Sequence, residues 1–144
     1  MTEPVFVDSN VLLYAFDRAD PSKQKAARNW QTALWKSRLG RLSLQVLSEF
    51  YVNAVRIRSN ASEEAREEIR DLLAWRPVVI DAVLLELGWK IQDRYRLSYW
   101  DSLIIAASKS ASCRYLLTED LQAGQDFDGV KVVNPFLTDP ANLP

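Results

Sequence analysis

The chain has 144 residues, 48% of them apolar, with five Trp and a formal net charge of −1. That length suits one domain with a full core, and the charge lacks the strongly basic footprint of many nucleic-acid binders. Histidine is absent and Cys113 stands alone, which excludes Ser-His and Cys-His nucleophilic pairs, His-ligated metals, an intrachain disulfide and a thiolate zinc cage within one chain.

Carboxylates are left to carry most of the chemistry. No apolar run is long enough to span a membrane, and Met1-Thr2-Glu3-Pro4 lacks the positive start of a secretion signal. The expectation is a soluble, cytoplasmic protein with no membrane partner.

Strand-length apolar runs recur at Pro4 to Asp8, Arg41 to Leu44, Pro77 to Asp81, Arg114 to Thr118 and Val130 to Val133, and they alternate with longer helical patterns. That alternation predicts an α/β fold with a parallel sheet. After the first strand comes a short helix near Val11 to Phe16, then a longer one from Ser22 to Lys36. Asp20-Pro21-Ser22 supplies its cap and Gly40 its end. Gln45 to Ile57 places Val46, Leu47, Phe50, Tyr51, Ala54 and Val55 on one broad face with Glu49 at its edge. Further helices are expected over Ser62 to Trp75, Ala82 to Tyr95 and Ser98 to Lys109, the last with Asp101 near its start. Asp139 to Pro144 reads as a frayed end. The division is one domain over residues 1–137 and a short tail over 138–144.

Between Pro21 and Ser48 there is no acid, while Lys23, Lys25, Arg28, Lys36, Arg38 and Arg41 supply positive charge. A solvated helix face is one reading and contact with phosphate the other, with Arg28, Lys36 and Arg38 as the candidates. An aromatic-rich surface that includes some of Trp30, Trp35 or Trp75 is a candidate for pairing.

Three acids share a placement near a strand exit or a helix's first turns: Asp8, Glu49 and Asp120. Asp101 joins them if its helix begins at the same sheet edge. Four clustered carboxylates repel one another unless cations sit between them, and their hard oxygens suit Mg²⁺ or Mn²⁺. Each has a plainer reading. Asp8 fits an Asx turn, Ser98-x-x-Asp101 a capping box, Glu49 a solvated helix position, and Glu119-Asp120 a charged turn. Their conjunction points to one shared site. Asn10, Ser9 and Thr118 can support the acids by hydrogen bonding.

At these residues the sequence resembles the PIN-domain ribonucleases, and within them the VapC-type toxins of toxin–antitoxin pairs. Val5-Phe6-Val7-Asp8-Ser9-Asn10 resembles the opening motif, Leu44-Gln45-Val46-Leu47-Ser48-Glu49-Phe50 the second, and Leu97-Ser98-Tyr99-Trp100-Asp101-Ser102-Leu103-Ile104 the third. Leu116-Leu117-Thr118-Glu119-Asp120-Leu121 resembles the fourth, and Val132-Val133-Asn134-Pro135-Phe136 the closing strand.

The resemblance implies a three-layer α/β/α sandwich around a mostly parallel, five-stranded sheet. It implies catalytic and metal-binding acids at Asp8, Glu49, Asp101 and Asp120, supported by Asn10, Thr118 and Ser9, with one or two Mg²⁺ or Mn²⁺ ions. The activity implied is cleavage of RNA by a metal-activated water, inhibiting translation as a toxin or serving housekeeping RNA processing. A small antitoxin and a homodimer are the implied partners. Some members carry a further acid a turn after the third, where this chain has Ile105. Glu119 is the possible additional acid. Against the nuclease stands a silent binding module whose acids merely cap helices.

Overall fold

The computed structural model describes residues 1–143. Its four strands are β1 (Val5–Val7), β2 (Gly40–Arg41), β3 (Tyr115–Leu117) and β4 (Lys131–Val133). All pair in parallel, in the order β2-β1-β3-β4. The helices are α1 (Ser9–Phe16), α2 (Pro21–Ser37), α3 (Leu44–Ile57), α4 (Ser62–Leu72), α5 (Ala82–Tyr95) and α6 (Tyr99–Ser110). Val5, Phe6 and Val7 are fully buried, as are Leu116 and Leu117. Strands buried on both faces must be continuously apolar, which is how β1 and β3 read, and the helices supply the two covers.

The sheet has four strands rather than five. Pro77 to Asp81 makes a single parallel bridge, Val78 with Ser43, through Val78 N–H to the Leu42 carbonyl at 2.9 Å and Leu44 N–H to the Val78 carbonyl at 3.0 Å. Val79 and Ile80 are exposed, and Asp81 already caps α5 by accepting from Leu84 N–H at 2.9 Å. The apolar run marks an open surface here rather than a central strand.

Local chemistry sets the helix ends. Asp20 accepts from Lys23 N–H at 3.1 Å with Pro21 in the first turn, the side-chain cap and fixed φ that open α2. Ser43 does the same for α3 through Val46 N–H at 3.2 Å. Gly40 does not end α2. Arg38, left-handed at φ 60°, is that cap, and Gly40 lies in β2, where an added Cβ would meet the Trp75 ring at 2.5 Å.

The end of the chain is packed through residue 143. Trp30, itself buried, donates Nε1–H to the carbonyls of Pro135 and Thr138 at 3.2 and 3.0 Å. Pro140 and Leu143 are buried, with Asp139 capping a short 3₁₀ turn between them. Pro144 lies outside the described residues. Among the described residues no helix is long and apolar enough to cross a membrane.

Candidate active site

The parallel sheet delivers its polar residues at one edge, beyond the carboxyl ends of the strands, where open α/β folds place ligands. Asp8 follows β1 directly and Thr118 follows β3, and Asp8 N–H donates to the Leu117 carbonyl at 3.1 Å. This pairing brings two loops side by side. Thr118 Oγ1–H donates to Asp8 Oδ2 at 2.9 Å and accepts from Asn10 Nδ2 at 2.9 Å and from Asp120 N–H at 3.1 Å. One donor and two lone pairs are thereby all used, which fixes the hydroxyl.

Asn10 ties the same group to Asp120, donating from Nδ2 to Oδ2 at 3.1 Å, with a longer approach to Asp8 at 3.4 Å. Its Oδ1 takes the Glu119 amide at 3.4 Å, which agrees with that orientation of the side-chain amide.

Asp8 is both the cap of α1 and a buried carboxylate. Its Oδ1 accepts from Ser9 N–H at 2.7 Å. Burial pushes its pKa up to about 7; the Ser9 amide and Thr118 hydroxyl pull it down, and the charges of Glu49 and Asp120 push it up again. A carboxylate placed where its charge is disfavoured invites a cation. Among the described residues, none of the ion pairs involves Asp8, Glu49, Asp101 or Asp120.

Glu49 reaches the same edge from α3. Gln45, one turn earlier on the same face, donates Nε2–H to Glu49 Oε1 at 2.9 Å, and Ser9 Oγ–H reaches Oε2 at 3.5 Å. Burial raises the Glu49 pKa, Gln45 and Ser9 oppose it, and repulsion from Asp101 and Asp120 adds to it. Asp101 stands in the first turn of α6, where its N–H donates to Ser98 Oγ at 3.1 Å. Among the described residues its carboxylate makes no reciprocal bond to the Ser98 amide, so the helix is capped by Ser98 and the acid is left over.

The four acids read from the sequence thus share one edge and act on one another electrostatically. They supply hard oxygen donors of the kind Mg²⁺ or Mn²⁺ takes. Among the described residues no group of three or more acids is placed to hold a metal ion, so any one ion at this edge would have at most two of them as ligands and take its other oxygens from water.

Four further sequence candidates have other surroundings. Glu119 is engaged by Lys23 Nζ at 3.0 Å, and that lysine also lies over the rings of Tyr14 and Phe136 at 4.6 and 4.8 Å. Arg28 Nε–H donates to the Ala15 carbonyl at 2.9 Å, tying α2 to α1. Lys36 and Arg38 are exposed near the end of α2, and neither contacts the acids among the described residues. Gln45 was not legible as a site residue. It also donates to the Trp100 carbonyl at 3.2 Å, linking α3 to α6, and only its spacing of four from Glu49 signals the role.

Cys113 is buried and its thiol is pushed up to about 12 by that burial, which makes it inert packing.

No curated protein matches the sequence. Among solved structures, the fold is similar to that of Mycobacterium tuberculosis VapC20, described as a sarcin-ricin loop cleaving toxin. The identity is 22% and the TM-score 0.63, over 78% of this chain and 86% of that one. It is also similar to a toxin–antitoxin complex from Klebsiella pneumoniae, at 20% identity and TM-score 0.59 over 91% of this chain and 97% of that one. A third likeness is to VapBC2 from Rickettsia felis bound to a promoter DNA fragment, at 14% identity and TM-score 0.60 over 89% and 96%. The model of the PIN domain matches residues 5–127, a span that holds all four acids and both loops that position them, and the chain belongs to the PIN domain family.

Proposed function

We propose that this protein is a Mg²⁺- or Mn²⁺-dependent endoribonuclease that hydrolyses RNA phosphodiesters, and that it is the VapC-type toxin of a toxin–antitoxin pair. The observation that carries the nuclease reading is the buried Asp8, held by Ser9 N–H and Thr118 Oγ1–H with no cation paired to it, at one edge with Glu49, Asp101 and Asp120. One or two of Asp8, Asp101, Asp120 and Glu49 at a time would hold each of one or two ions, with water completing the shell. A bound ion supplies a water of lowered pKa and neutralises charge developing on the phosphate.

The chain's own groups do the positioning. Asn10 and Thr118 set the orientation of Asp8 and Asp120. Gln45 keeps Glu49 Oε1 occupied, leaving Oε2, with its weaker bond to Ser9, as the atom placed to take a proton. A carboxylate with an upward-shifted pKa is suited to that task near neutral pH. No histidine is needed.

The toxin assignment is supported by the three structural likenesses, all of them to toxins or toxin–antitoxin complexes and two spanning nearly all of the other chain. It carries with it a small antitoxin that covers the site, a homodimer, and growth arrest through blocked translation. The test is incubation of purified, antitoxin-free protein with structured RNA in Mn²⁺ and in EDTA, beside a folded Asp8→Asn/Asp101→Asn variant. The expected result is cleavage that needs the ion and is absent in the variant. Cleavage that survives the double substitution contradicts the nuclease reading. Cleavage without growth arrest on induced expression leaves a housekeeping RNA-processing enzyme instead.

A further inference from the structure

A second cleft lies across the sheet from the acids. Gly40, in the edge strand β2, pairs with Val5 at the start of β1, whereas Asp8 follows the end of β1, roughly 10 Å further along an extended chain. Beside this starting edge, Trp35, Arg38, Gly40, Arg41, Trp75 and Arg76 line an open cleft of about 690 Å³. None of its lining residues is acidic.

Among the described residues five arginines pair with carboxylates, Arg58 with Glu64 at 3.1 Å, Arg70 with Glu63 at 2.8 Å and Arg94 with Asp128 at 2.7 Å among them; Arg38, Arg41 and Arg76, the three that line this cleft, do not. Three guanidiniums gathered without a counter-charge make a local anion-attracting field in a chain whose net charge is −1. Arg41 is held in place, donating Nη1–H to the carbonyls of Arg38 and Gly40 at 3.0 and 2.9 Å.

The cleft is also aromatic. The Trp35 and Trp75 rings meet edge-on with centroids 5.3 Å apart. Trp75 is packed over Gly40 and almost wholly buried, which fixes it, while Trp35 is 41% exposed beside the arginines. Guanidiniums bind phosphates, and an exposed indole offers a face on which a base can stack. An acidic peptide would satisfy the arginines and leave the indole unused.

We infer that this cleft is a second RNA-binding site, taking a single-stranded segment with its phosphates on Arg38, Arg41 and Arg76 and a base on Trp35. The choice of RNA as the polymer rests on the nuclease reading of the acid edge.

The test is anisotropy of a fluorescein-labelled oligouridine with the full chain in EDTA, across a salt series. The Arg38→Ala/Arg76→Ala pair should weaken binding by about tenfold or more and flatten the slope of log K against log salt by about 1.4, two phosphates at about 0.7 each. The corresponding Lys pair should keep most of the slope. Trp35→Leu should weaken binding by about fivefold or more at unchanged slope, and Trp35→Phe should restore most of it.

Unchanged affinity and slope in an Ala pair shown folded by circular dichroism overturns the inference, as does a wild type that does not bind. So does displacement by polyglutamate of matched charge as effective as by unlabelled RNA. Variants that alter the dimer in sedimentation while RNA binding persists assign the cleft to a second copy instead. Cleavage in Mn²⁺ with binding indifferent to the arginines defeats the cleft and spares the nuclease. Arginine-dependent binding without cleavage does the reverse.

Discussion

The acid edge has two halves built on different principles. Asp8, Thr118 and Asp120 come from the segments that leave β1 and β3, with Asn10 in the first turn of α1 between them, and their polar atoms bind one another. Glu49 and Asp101 come from α3 and α6. Glu49 is braced by Gln45 and Ser9, and Asp101 has no side-chain acceptor bond among the described residues. Adjacent parallel strands place loop residues within hydrogen-bond reach of each other, so the strand half is preorganised; helices only bring their acids to the rim. The contrast teaches that the strand half sets the site and the helix half completes it.

The largest expected effect treats both halves alike in activity and apart in stability. Asp8→Asn and Asp101→Asn should each lower cleavage by at least about a hundredfold in a single-turnover assay. In EDTA at pH 8, Asp8→Asn should raise stability by a few kcal/mol, because a buried, disfavoured charge is gone, while Asp101→Asn, at a part-exposed rim, should stay within about 0.5 kcal/mol of wild type. Urea melts of both variants check this. Equal shifts would erase the distinction between the halves.

The pH dependence of the metal-free protein follows with its sign. The folded pKa of Asp8, about 7, lies above its ordinary value of 3.8. Between those values the folded state holds a proton that the unfolded state has lost. Its contribution is therefore fully present at low pH and is lost as pH rises towards and through the folded pKa. Melts in EDTA should show stability falling from pH 5 to pH 8 by up to about 3 kcal/mol, with the fall absent in Asp8→Asn and reversed by Mn²⁺.

Thr118→Val tests the preorganised half without touching an acid. Removing the hydroxyl strips Asp8 of a donor and leaves Asn10 and the Asp120 amide without their shared acceptor. A loss of about 10- to 100-fold in Mn²⁺ affinity or rate is expected, with about 1–3 kcal/mol of destabilisation from the unpaired groups. The smallest effect belongs to Gln45→Ala on the helix half: a several-fold drop in rate with little change in Mn²⁺ affinity, since Glu49 keeps Ser9 and stays at the rim.

The same contrast explains what the sequence made legible. Asp8 and Thr118 stand out because a wholly apolar run ends in a polar residue, a pattern that a buried parallel strand must leave. Glu49 and Asp101 are legible only through their conjunction with the other acids, since an acid on a helix edge is ordinary chemistry taken alone.

Apolarity misled at Val79-Ile80, where exposed side chains imitate a buried strand; a short apolar run is ambiguous by periodicity alone. Charge alone does not show what Glu119 and Arg28 bind within the fold. Their partners, Lys23 and the Ala15 carbonyl, are fixed by how α2 lies against its neighbours rather than by local pattern. Gln45 was invisible because its second partner, the Trp100 carbonyl, is brought to it only by the tertiary fold. Gly40 reads from the sequence as a helix end, although close approach of Trp75 is what requires it.

The most direct measurement is calorimetric titration of Mn²⁺ into the purified protein near neutral pH, in buffers of different ionisation enthalpy, with Asp8→Asn alongside. The wild type should bind and release a proton as Asp8 gives up the one that burial lets it keep, and the variant should lose both the binding and the buffer dependence. Binding of equal strength in Asp8→Asn, or a wild type that takes no ion, would contradict a carboxylate-held metal centre at this edge.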